Sequence, residues 1–109
     1  MIELETHLKR RMNPKESNKI LLEAVRTWGK EAQINMIEEE CIELAHAICK
    51  LRRKRGDPDK KLDNLIDELA DVKLMMMQAD IIFEDLKDRI DERMDFKLNR
   101  VKERLKEKI

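Results

Sequence analysis

The chain has 109 residues, 44% of them charged and 41% hydrophobic, and 24 Lys and Arg offset 24 Asp and Glu to leave no net charge. That length suffices for one domain and not for two, and the charge balance excludes nucleic-acid binding driven by a broadly basic surface. Three aromatics, no tyrosine and an abundance of Leu, Ile, Met, Ala, Glu, Lys and Arg exclude a strand-rich fold and predict a single all-α domain over residues 1–109.

Residues 1–12 read as a polar lead-in, either a short helix or flexible. Asn13-Pro14-Lys15-Glu16 is a helix start: Asn13 suits the N-cap, Pro14 the first helical position and Glu16 the third, as in a capping box. The first firm helix is expected from Pro14 to about Trp28, closed by Gly29. A second follows from about Lys30 to Lys54. Gly56-Asp57-Pro58-Asp59 is the clearest break, since Gly can end a helix and X-Pro resists continuing one. A third helix then runs from about Asp59 to Asp80 or a little beyond. The last spans roughly Glu84 to Lys106, with Leu86, Ile90, Met94, Leu98, Val101 and Leu105 at three- and four-residue steps.

Within the second helix, Lys50, Arg52, Arg53, Lys54 and Arg55 read as a solvated helix end, with cations at the negative pole of the dipole. Cys41 and Cys49 lie about 12 Å apart along that helix, too far for a disulfide, and no Cys/His grouping has zinc spacing. Two reduced, mostly buried thiols fit a cytoplasmic protein. The first residues lack the apolar run of a signal peptide, and no uncharged stretch reaches membrane-spanning length. No membrane and no nucleic-acid partner is expected. Met75-Met76-Met77 reads as flexible apolar filler in a core or dimer seam. Apolar residues spread around the third helix, Leu74 included, predict burial on two sides and hence a second copy.

The chemistry concentrates in the two middle helices. Glu40 and Glu43 are three apart, as are Glu68 and Asp71, so each pair shares a helix face. In an antiparallel hairpin, opposing positions have residue numbers with a constant sum. The pairs Glu40/Asp71 and Glu43/Glu68 share one sum, and it centres the turn beside Gly56. The break chosen from turn chemistry is therefore the one that brings four carboxylates to one level. Helical projection puts Glu40 and Glu68 inside the apolar arcs and Glu43 and Asp71 at their edges. Carboxylates on an apolar face are costly unless paired or bound to a cation, and oxygen-only ligands select Mg²⁺ first and Mn²⁺ second. Glu43-Leu44-Ala45-His46 matches the Glu-x-x-His of di-iron bundles. Asp71 stands where a second His should be and His46 projects to the polar side, so His46 reads as a surface histidine.

Glu39-Glu40-x-x-Glu43, 24 residues, then Glu68-x-x-Asp71 resembles the motif of the MazG-type all-α nucleoside triphosphate pyrophosphohydrolases. The segments EEECIELAHAI and LIDELADVKLMM resemble that family's two core helices. The likeness covers residues 28–80, and less closely to about 105. It implies a four-helix-bundle-like architecture with a central antiparallel αα-hairpin, assembled as a homodimer or homotetramer. It also implies Mg²⁺-dependent hydrolysis of a (d)NTP to the monophosphate and pyrophosphate. Glu40, Glu43, Glu68 and Asp71 would be the metal ligands and Glu39 an auxiliary acid or water-orienting group. Lys97, with Arg100 or Arg104, would face the phosphates, and Trp28 and Gln33 the base. Met36 is a departure, standing where many members carry a lysine. An alternative of a different class is a non-catalytic helical interaction or metal-binding module.

Overall fold

A computed structural model describes residues 12–108; the lead-in expected over 1–12, Met12 apart, lies outside the described residues. Four helices follow in order: α1 (Pro14–Trp28), α2 (Lys30–Arg52), α3 (Pro58–Ile82) and, after a 3-10 turn at Glu84–Leu86, α4 (Lys87–Glu107). Among the described residues there is no strand. No helix is long and apolar enough to cross a membrane.

The local chemistry sets the breaks. Asn13 Oδ1 accepts a hydrogen bond from the Glu16 amide at 2.9 Å, and Pro14 opens the helix. Gly29 joins α1 to α2 at φ 92°, a left-handed value that favours glycine, and its N–H bonds to the Val25 carbonyl. The second break uses Gly56 at φ 89° and Asp57, whose Oδ1 caps α3 through the Asp59 amide at 3.0 Å. Lys61 closes this turn from the far side, donating its ammonium to the carbonyls of Arg53 and, at 2.7 Å, of Arg55. Those carbonyls lie at and beyond the end of α2, where no further helical amide reaches them.

Most of the helix–helix contact is between α2 and α3, the expected antiparallel hairpin, and α1 packs across both. The core is narrow. Ala47, Met75 and Ile82 are its buried apolar residues, joined by two buried amides, Gln33 and Gln78. Gln33 and Gln78 share the sum that relates Glu40 to Asp71, so the register read from the carboxylates also sets these two opposite one another. Of the methionine run, only Met75 is buried. Cys41 and Cys49, expected mostly buried, are both exposed. The hairpin buries a stripe one or two residues wide on α2, so positions flanking it remain at the surface.

α4 does not pack along the hairpin; its substantial contact among the described residues is with the 3-10 turn before it. Ile90, Met94, Leu98, Val101 and Leu105 form a stripe along it, and all are exposed, Leu98 by 69%. Within one chain the architecture is thus a three-helix unit with a fourth helix leading away, not a closed four-helix bundle.

Candidate functional site

α2 and α3 carry the carboxylates toward each other because the hairpin register leaves no alternative: a helix rises about 1.5 Å per residue, so equal distances from the turn give equal heights. Oxygen atoms of Glu40, Glu68 and Asp71 lie within 4.8 Å of one another. Glu43 is exposed beside them, facing Glu68. Glu40 and Glu68 are half-buried and Asp71 sits at the rim. The inner and outer positions therefore fall as the projection places them.

Electrostatics follow from this crowding. Partial burial first, then the charges of Asp71, Glu43 and Glu68, push the Glu40 carboxyl above its ordinary value, and a hydrogen bond to the Asp71 carboxyl adds to the effect. Glu68 is likewise raised, by burial first, then by the charges of Glu43 and Asp71 and a hydrogen bond to Glu43. Each inner carboxyl thus stands against its level partner across the hairpin. Glu40 Oε2 and Glu68 Oε2 are buried and have no hydrogen-bond partner, and among the described residues no lysine or arginine is ion-paired to the cluster. Converging oxygens with unmatched lone pairs and no counter-charge form a donor set suited to a small, hard divalent cation.

On the turn side of the carboxylates lies a cavity of about 230 Å³ lined by Glu43, His46, Ala47, Lys50, Asn64 and Glu68. Ala47 (0% exposed) and Asn64 share the sum of the opposing carboxylates and so stand level. Ala47, fully enclosed between the helices, lies against the cavity rather than opening it. Sequence reasoning assigned His46 to the bare surface and Lys50 to a solvated helix end. Extending the constant-sum rule one turn toward Gly56 for Asn64, and two for Lys50, was the signal that could have found them.

The other residues singled out from the sequence are not gathered here. Glu39 is exposed on α2 next to Glu40. Trp28, expected to face the base, is the last residue of α1 and is 66% exposed. Gln33 is 3% exposed and donates to the sulfur of Met36 at 3.7 Å, within the three-helix interior. Neither lines the cavity. Lys97, Arg100 and Arg104 ride on α4, away from the hairpin. A groove there, lined by Phe96, Asn99, Arg100 and Arg104 among others, is made by that one helix alone and encloses nothing. No family model, no curated protein and no solved structure matches this chain.

Proposed function

We propose that this protein is a Mg²⁺-dependent, cytoplasmic nucleotide pyrophosphohydrolase, converting a (d)NTP to the (d)NMP and pyrophosphate. The observation that carries the reading is the meeting of Glu40, Glu68 and Asp71 oxygens within 4.8 Å across the hairpin, in a cluster where Glu40 and Glu68 each keep a buried, unpartnered oxygen. The resemblance of the Glu-Glu-x-x-Glu and Glu-x-x-Asp segments to the MazG-type enzymes supplies the reaction. In that reaction water attacks the α-phosphorus, the P–O bond to the β-phosphate breaks, and pyrophosphate leaves. A divalent cation at the carboxylates, Mn²⁺ as well as Mg²⁺, supplies charge neutralisation for the phosphate oxygens. The chain's part is to hold Glu40, Glu43, Glu68 and Asp71 at one level on two rigid helices. Glu39, beside the ligands and open to solvent, is assigned the orientation of the attacking water.

The same reading includes assembly into a homodimer or homotetramer. A compact monomer of 13.1 kDa exposes roughly 6,400 Å², whereas this chain exposes 10110 Å². The surplus exceeds the ~800 Å² per partner of a standard interface several-fold. The radius of gyration, 17.7 Å, likewise exceeds the ~13 Å of a compact domain this long. The apolar stripe of α4 is the natural seam, and Lys97, Arg100 and Arg104 then serve a site only within the assembly. That unpartnered stripe is also what favours the second reading, a helical interaction module whose carboxylates bind metal without turnover.

Pyrophosphate release from a (d)NTP panel with Mg²⁺ separates the two. The hydrolase reading expects turnover abolished by chelator and by Glu68→Gln. It fails when no triphosphate is cleaved by folded, Mg²⁺-binding protein.

A further inference from the structure

The cavity beside the carboxylates has a chemistry of its own. At about 230 Å³ it falls below the ~300–1,000 Å³ of sites that enclose a drug-sized ligand, so a whole nucleotide does not fit. Its lining has one apolar residue, Ala47, and, apart from the His46 imidazole, no aromatic side chain. Beside Glu43 and Glu68 of the carboxylate cluster it has the Lys50 ammonium and two further side chains able to donate hydrogen bonds, His46 and Asn64. With a divalent cation offsetting the carboxylates, that donor set suits phosphate oxygens.

Lys50 is placed to serve it. On α2, Glu43, His46 and Lys50 follow at steps of three and four and so share a side. Helical Cα–Cβ bonds tilt toward the N-terminus, which leans Lys50 back toward Glu43 and the carboxylates. Its level partner on α3, Lys61, is committed to the carbonyls of Arg53 and Arg55. Among the described residues Lys50 has no ion pair. Of the two cations at this height, one closes the turn and the other is available to a ligand.

We propose that Lys50, with Asn64 and His46, binds the β- and γ-phosphates of the triphosphate, the portion that leaves as pyrophosphate. The direction follows from the size of the cavity and the place of its cation: the nucleoside hangs from the α-phosphate, the cavity is too small for it, and Lys50 stands at the turn end, so the terminal phosphates point toward the turn. This cation occupies the role left open by Met36 and by the remoteness of Lys97 within the chain. The assignment rests on the hydrolase reading for its substrate but not for its anion.

The test is calorimetric titration of the Mg²⁺-loaded protein with inorganic pyrophosphate, beside pyrophosphate release from (d)NTPs. Lys50→Ala is expected to weaken pyrophosphate binding roughly tenfold or more, Lys50→Arg to restore most of it, and Lys60→Ala, on the exposed start of α3, to change nothing. The Mg²⁺ titration of Lys50→Ala without pyrophosphate should match that of the unaltered protein. Failure of the unaltered protein to bind pyrophosphate, equal binding by Lys50→Ala, or an equal loss in Lys60→Ala overturns the assignment. Lys50-dependent pyrophosphate binding without any triphosphate turnover would support the anion site and overturn the hydrolase reading instead.

Discussion

Gln78 is the buried residue whose replacement tests the packing most sharply. It is 1% exposed, lies between α3 and α1, and makes one long hydrogen bond, Nε2 to the Leu21 carbonyl at 3.5 Å. Its Oε1 is buried with no partner. An unsatisfied buried acceptor costs about 1–3 kcal/mol, and a bond at the distance limit returns little of that. Leu21 sits mid-helix in α1, so its carbonyl keeps the helix's own amide when the glutamine is lost. Methionine is unbranched and similar in reach, so Gln78→Met removes the orphan without opening a cavity. We expect a gain of about 1 kcal/mol, the low end because repacking is imperfect. For a domain this size that is a rise in Tm of about 4–8 °C. Thermal unfolding by circular dichroism at fixed protein concentration, without added metal, measures it. A fall in Tm of similar size would refute the reasoning, and would mean that the amide holds a water or partner worth more than the burial costs.

Two further outcomes bear on the site and the assembly. Glu40 and Glu68 are raised from an ordinary value of 4.5, so the folded metal-free protein holds their protons to higher pH than the unfolded chain does. Their contribution to stability is then complete below about pH 4.5 and is lost as pH rises through the raised folded values. Metal-free Tm should fall over that interval on their account. Mg²⁺ should restore it near neutrality, by about 2.7 kcal/mol at a hundredfold excess over Kd, and the Mg²⁺ gain should vanish on acidification; a Tm indifferent to Mg²⁺ at pH 7.5 would remove the metal site. On α4, the double substitution Met94→Glu and Leu98→Glu puts like charges on the apolar stripe. Light scattering should report a smaller species with helix content intact, and an unchanged mass would exclude α4 as the seam.

Much of this was legible in the sequence because it depends on local rules. Asn13, Pro14, Gly29, Gly56 and Pro58 act through backbone conformations that hold in almost any context, and the element boundaries follow them to within a few residues. The meeting of Glu40, Glu68 and Asp71 was legible for a different reason: once the turn is located, rigid helices fix heights by counting. What escaped depends on width rather than height. The exposure of Cys41 and Cys49 and the burial of Gln33 and Gln78 are set by how wide a stripe the hairpin covers and where α1 crosses it, which no count along one helix supplies. Lys50 escaped because a cation near a helix C-terminus already has a sufficient local reason to be there.

Ala47 carries a consequence of its own. At the height of the cavity beside the carboxylates the chain places its smallest helix-forming side chain, fully enclosed between the two helices. Adding a few carbons there, as in Ala47→Leu, would close the cavity from within or wedge the helices apart, while every ligand-bearing residue kept its identity. On the hydrolase reading, what the cavity admits would then be set by the bulk of one residue that carries no chemistry itself, while the carboxylates stay the same.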